Sequence, residues 1–292
     1  KKTLEMPAAI LKVLNPPAYP INQESVGGRK IVAMACAGAF IFLVAVFLLI
    51  ELIDRTLRDT PRTRKLTGGI VLGSYPAPMK PGPVNKQCED AATRYMGTAI
   101  QRFFTGRAEG LPFILNLLST EEGSGKSYLA ERLKNYWESL GLKVRLLTDG
   151  IDFDSGSPGF ILSQSLKEIY TPQSEEIVIV EYRNLKQINI PTPLLQEAQL
   201  NLLVASAILG WKATDKVLLQ KLRLQIGKPP YFYLNRAPKY EVETYTGMLP
   251  PYTWMRKQMY RISQLALTER SLYRLRSKKT SNDNLQDDDD DE

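Results

Sequence analysis

Apolar and polar positions divide this chain sharply. Residues 31–53 read IVAMACAGAFIFLVAVFLLIELI, and the only charge in that run is Glu51. At about 1.5 Å per residue, a helix of this length crosses a hydrocarbon core of about 30 Å. A buried core helix is the competing reading, but such helices rarely run about 18 residues without a charge. A cleaved signal peptide fits poorly, because the run is long and follows thirty residues of other sequence. Small residues at Ala35, Ala37, Gly38 and Ala39 leave room for a second helix to approach. Beyond residue 110 the period changes. Short apolar runs at 113–118, 143–148, 177–180, 200–205 and 231–234 predict strands, and the β-branched IVIV at 177–180 is the clearest. Helical spacing falls between them, at 128–140 up to Gly141 and at 214–226 up to Gly227, and also ahead of them at 89–105. Strands alternating with helices predict an α/β class: a transmembrane helix followed by a mostly parallel sheet with helices on both faces.

The flanks of the apolar run orient it. Arg55, Arg58, Arg62, Arg64 and Lys65 follow it, against only Arg29 and Lys30 before it. The positive-inside bias puts the C-terminal side in the cytoplasm. Residues 1–30 then form a periplasmic, proline-rich approach, stiffened by Pro16, Pro17 and Pro20. Residues 54–88 read as a basic juxtamembrane segment ending in GGIVLGSYP and a Pro/Gly-rich linker. The folded domain is expected at 89–250, a basic helix at 251–280 and a disordered acidic tail at 281–292. In the basic helix, Trp254, Met255 and Met259 share a face while Arg256, Lys257 and Arg261 lie elsewhere. Either that apolar face packs on the domain, or it lies on anionic lipid.

Composition narrows the chemistry. The 292 residues carry 38 Lys and Arg against 31 Asp and Glu, a formal charge of +7. A basic balance suits nucleic acid or an anionic membrane, and the apolar run favours the membrane. No histidine occurs anywhere in the sequence. His-based acid/base catalysis and His-ligated metals are therefore excluded. Cys36 lies in the apolar run and Cys88 in a polar stretch, so a disulfide framework is not expected. The first residue is Lys1 rather than Met, as expected of a fragment or a processed product.

The motif that carries chemistry is Thr120-Glu121-Glu122-Gly123-Ser124-Gly125-Lys126-Ser127, between a predicted strand and a predicted helix. Its GKS ending is that of a phosphate loop. Glycines let backbone N–H groups converge on phosphate oxygens at a helix N-terminus. Lys126 would reach the outer phosphates and the Ser127 hydroxyl would ligate Mg²⁺. Two features depart from the pattern. Thr120 stands where its first glycine belongs, and Glu121 and Glu122 bring negative charge into the loop. Such acids oppose phosphate binding unless they point outward or contact the metal. An acid after a later strand normally helps hold the metal. Glu181 ends the IVIV run, and Asp149, Asp152 and Asp154 follow the second strand. A solvated acidic loop is an equal reading of those aspartates.

The order of these features resembles a known family. The segments NPPAYP, ELIDRTLRDTPRTRKLTG and IVLGSYP resemble the C-terminal end of bacterial polysaccharide co-polymerases. The P-loop region and LLVASAILGWKATDKVLLQKL…YFYLNRAP resemble their fused cytoplasmic bacterial tyrosine kinase (BY-kinase) domain. The resemblance implies ATP and Mg²⁺ as cofactors. It implies nucleotide binding by Gly123, Ser124, Gly125, Lys126 and Ser127, with Asn235 at the adenine. It implies Glu181 beside Ser127 at the metal, and Asp149 or Asp152 as the catalytic acidic residue. It also implies a homo-oligomer in the bacterial inner membrane, working with a polysaccharide polymerase or export channel and with membrane lipid, and no nucleic acid. The family's E-x-x-R-x-x-R subunit-contact motif is poorly kept, with Ala91 and Gly97 around Arg94, and its C-terminal tyrosine cluster is replaced by scattered tyrosines and an acidic run. Three functions follow as alternatives. One is a chain-length or export subunit with a degenerate nucleotide-binding domain. Another is an autophosphorylating tyrosine kinase with degenerate motifs. The third is a membrane-tethered partitioning ATPase, whose usual extra lysine is missing early in the loop.

Overall fold

The computed structural model describes residues 27–106, 110–171 and 173–263. The expectations for the proline-rich approach before residue 27, the end of the basic helix and the acidic tail lie outside them. Two compact units meet in sequence between Asp54 and Arg55. The first holds one helix, α1 (Gly28–Ile53), with no buried residue. Among the described residues it is the one helix long and apolar enough to cross a membrane, by length and composition.

The second unit is built on six strands: β1 (Ile70–Pro76), β2 (Phe113–Leu118), β3 (Val144–Thr148), β4 (Ile177–Glu181), β5 (Leu200–Ser206) and β6 (Tyr231–Ala237). Their order across the sheet is β1-β6-β5-β2-β4-β3, and each of these ladders is parallel. Every residue of β2, β4 and β5 is buried. Successive side chains point to opposite faces, so burial of all of them requires cover on both faces. That is why these segments read as continuous apolar runs. Apart from Glu181 and Ser206 at strand ends, the exceptions are Asn116 and Asn201, which face each other in register. Asn116 donates to Asn201 Oδ1 at 2.9 Å and Asn201 to the Leu195 carbonyl at 2.7 Å, tying α6 (Thr192–Glu197) to the sheet.

The folded unit begins well before residue 89, which corrects the expected linker. The IVLGSYP segment is edge strand β1, paired with β6. Ahead of it lies α2 (Thr60–Thr67), capped by Asp59, whose Oδ1 accepts from Arg62 N at 2.8 Å. Thr60 N donates to the buried Glu241 at 3.1 Å, fixing α2 to α8 (Lys239–Thr246). Burial pushes the Glu241 carboxyl up, partly offset by the Thr60 donors. The prolines of the supposed linker lead into α3 (Pro83–Gln101), with Pro83 at its first helical position. Proline is tolerated there because that N–H has no helical partner. Cys88, Ala92, Met96 and Ile100 recur every four residues and are all buried. Helices α4 (Lys126–Ser139), α5 (Pro158–Leu162) and α7 (Ala213–Ile226) complete the layers around the sheet.

The last described helix is α9 (Trp254–Ser263). Its Arg256 turns toward the domain, pairing with Glu243 at 2.5 Å and donating to the Pro251 carbonyl at 3.1 Å. Trp254, Met255 and Met259 are 75%, 64% and 66% exposed. The packed-face alternative for this helix is thereby reversed: a basic side chain faces the domain and the apolar side chains face out.

Candidate functional site

The parallel sheet assembles the site. In parallel α/β sheets, ligands bind beyond the carboxyl ends of the strands. Here β2, β4 and β3 are neighbours, and Glu181 pairs with both Leu117 and Thr148. The loop after β2, the end of β4 and the loop after β3 therefore emerge side by side. They border a cavity of about 1010 Å³ whose walls include Lys126, Ser127, Asp149, Glu181 and Arg183.

The loop has the backbone its glycines predict. Gly123 and Gly125 adopt φ values of 67° and 85°. A Cβ on Gly125 would lie 1.9 Å from Asn235 Nδ2. Asn235 is buried and donates to the Ser124 carbonyl at 2.8 Å. It therefore braces the loop from behind and does not line the cavity, contrary to its expected place at the adenine. Lys126 is buried at the start of α4 and donates to the Tyr182 carbonyl. Burial pulls its ammonium down to about 8, although Glu181, Asp149 and Glu122 favour the charged form. Ser127 Oγ donates to Glu181 Oε1 at 2.6 Å, so the expected pair of metal oxygens is together.

The two candidate aspartates separate. Asp149 lines the cavity with a side chain only 1% exposed. It accepts from Ser155 N at 3.1 Å and Arg183 N at 3.3 Å, and the Arg183 guanidinium stands 3.7 Å away. Phe153 and Phe160 pack on Tyr182 and hold the loop that follows Asp149. Asp152 is absent from the cavity wall. Its carboxylate accepts from Arg145 and from Thr148 N, both at 2.8 Å. It closes a turn beside Thr148.

The loop acids are held by side chains that sequence reasoning missed. Glu121 pairs with Lys212 at 2.6 Å and Lys186 at 2.9 Å. These hydrogen bonds, Lys212 first, hold its carboxyl below the usual range. Gln187 donates to Glu122 at 2.9 Å. Local sequence carried no signal for these pairings, because the partners lie 65 to 91 residues away. Arg183, two residues beyond Glu181, was the one missed residue within reach of a motif.

Solved structures similar to this chain include two tyrosine kinase domains. The kinase domain of Escherichia coli tyrosine kinase ETK is 14% identical, with a TM-score of 0.44, covering 67% of this chain and 98% of that one. The chimerical protein CapA2B2 is 16% identical, with a TM-score of 0.38, covering 61% and 99%. The BceF tyrosine kinase domain is 10% identical, with a TM-score of 0.42, covering 62% and 99%. No protein-family model matches the chain, and no curated protein does.

The residues present fit a magnesium nucleotide. Mg²⁺ keeps several waters and takes one or two carboxylates plus substrate phosphates. Ser127, Glu181 and Asp149 supply that kind of partial set. Among the described residues, no group of three or more His, Cys, Asp or Glu gathers as it would for an all-protein cage. The backbone cradle, the Lys126 ammonium and the start of α4 are suited to the phosphates.

Proposed function

We propose that this chain is a bacterial inner-membrane polysaccharide co-polymerase subunit that binds a magnesium nucleoside triphosphate in its cytoplasmic P-loop domain. Its role is chain-length control or export of an exopolysaccharide, capsule or O-antigen, within a homo-oligomer that meets a polymerase or export channel. One observation carries the nucleotide reading: Lys126, Ser127, Asp149 and Glu181 converge on a single cavity beneath a glycine-braced loop. The membrane role rests on α1 and on the resemblance of the flanking segments to co-polymerases. Bound nucleotide would supply phosphates for the loop amides and Lys126, and its metal would meet Ser127 and Glu181. Binding then alters how neighbouring cytoplasmic domains pack, and the membrane helix passes that change outward.

The place of Asp149 on the cavity wall favours a second reading, autophosphorylation, in which its carboxylate would accept the proton of a tyrosine hydroxyl as that oxygen takes the γ-phosphoryl group and the nucleoside diphosphate leaves. Equilibrium binding of Mg·ATP to the full chain in lipid nanodiscs, with a phosphotyrosine assay alongside, separates the two. Binding lost in Lys126→Ala, without phosphotyrosine, is the expected result. Phosphotyrosine that disappears in Asp149→Asn would make the chain a kinase. Unaltered binding by Lys126→Ala would sink the site itself.

A further inference from the structure

We infer that α9 is a second membrane contact, an amphipathic helix that lays its apolar face into an anionic bilayer. The helix turns about 100° per residue, so Trp254, Met255 and Met259 share an arc of about 140°. All three are largely exposed. Lys257 and Arg261 are also exposed and run along one edge of that arc. Arg256 lies on the far side and is spent on Glu243 and on the Leu249 and Pro251 carbonyls. The side facing the domain is thus fixed by polar bonds, while the aromatic and thioether side chains are turned away from it.

A helix held this way has its oily face where water should be, unless something covers it. Exposed Trp and Met beside Lys and Arg is the composition of interfacial helices on anionic lipid. Trp favours the headgroup boundary because its ring is apolar and its N–H is polar. A transmembrane helix alone anchors a chain effectively irreversibly. With α1 already holding the chain at the membrane, α9 needs to add only a weak, reversible contact. The inference rests on the reading of α1 as a membrane anchor.

Tryptophan fluorescence tests it with the native probe. The chain has three tryptophans, and Trp137 and Trp211 are buried in the domain at 1% and 4% exposure. The full chain is reconstituted in vesicles of phosphatidylethanolamine and phosphatidylglycerol with brominated acyl chains, and flotation is scored on the same samples. Bromolipid should quench a component of the emission that is missing in Trp254→Phe. Lys257→Glu with Arg261→Glu should remove most of that quenching, and so should brominated phosphatidylcholine as the only lipid. Three results overturn the inference: equal quenching in wild type and Trp254→Phe, quenching indifferent to lipid charge, or none in protein that floats with the vesicles. In the last case, protection of Trp254 from aqueous acrylamide would mean that a protein surface covers the face, whether a second copy or another part of this chain. Failure of the protein to float would instead remove the anchor reading, and this inference with it.

Discussion

Lys126 is the residue on which the site turns, because its charge is held under tension. Burial disfavours the ammonium while three carboxylates favour it, and the balance leaves it near 8. A phosphate arriving beside it favours the charged form, so the bound state holds its proton to higher pH. Below about 8 the proton is present with or without ligand, and binding is insensitive to pH there. Above that value, binding must take up a proton. Nucleotide affinity is therefore expected to weaken as pH rises, by up to about tenfold per pH unit. Titrations of Mg·ATP from about pH 7 to about pH 9 check this, and Lys126→Arg should flatten the profile because arginine stays charged. A flat wild-type profile would show that Lys126 does not meet the phosphates. Sequence reading singled out Lys126, Ser127, Asp149 and Glu181, which the structure brings to one cavity, since each stands at the end of a strand or the start of a helix. It did not show that Asn235 bonds the loop from behind, and it could not choose between Asp149 and Asp152. Both questions turn on which way a side chain points.

Among the elements, β1 and the first turns of α3 lay in the stretch read as a basic segment and linker. A proline-rich stretch signals a linker, but Pro83 sits where a helix accepts proline, and IVLGSYP finds its partner 160 residues further along in β6. The contact between α3 and α4 has a particular weak point. Gly97 is buried there, and a Cβ on it would lie 2.3 Å from the Tyr136 ring. Gly97 occupies part of the motif that forms subunit contacts in the resembling family, yet here it serves the interior of one chain. Gly97→Ala should cost about 1–3 kcal/mol through overpacking. Thermal melts should register it as a drop of about 2–4 °C per kcal/mol for a domain of this size. An unchanged melt would mean that the two helices slide apart freely. Gly159→Ala, with open space around its Cβ, is the matched control.

On the scale of the molecule, the expected arrangement is one bilayer-crossing helix followed by a cytoplasmic nucleotide-binding unit. Such a protein should resist a high-salt wash and leave membranes only in detergent, because burial of an apolar helix is indifferent to ionic screening. Added protease should cut the P-loop domain in inverted inner-membrane vesicles and spare it in intact spheroplasts. Release by salt alone, or cleavage from the periplasmic side, would overturn the arrangement. Salt should still loosen α9 where α1 holds, since its Lys257 and Arg261 contacts are screened.

Local sequence alone determined the apolar helix, five of the six strands and the glycine loop ahead of α4. Each is a local signal: a run of apolar residues, a β-branched cluster, glycines ahead of Lys126 and Ser127. Tertiary structure decided what depends on partners distant in sequence. It recruited β1 to the sheet edge through β6, drew Glu121 to Lys186 and Lys212, and turned Asn235 behind the loop. It also aimed α9 outward. A helix's sequence defines its two faces, but the bonds of Arg256 to Glu243 and to the Leu249 and Pro251 carbonyls decide which of them meets the protein.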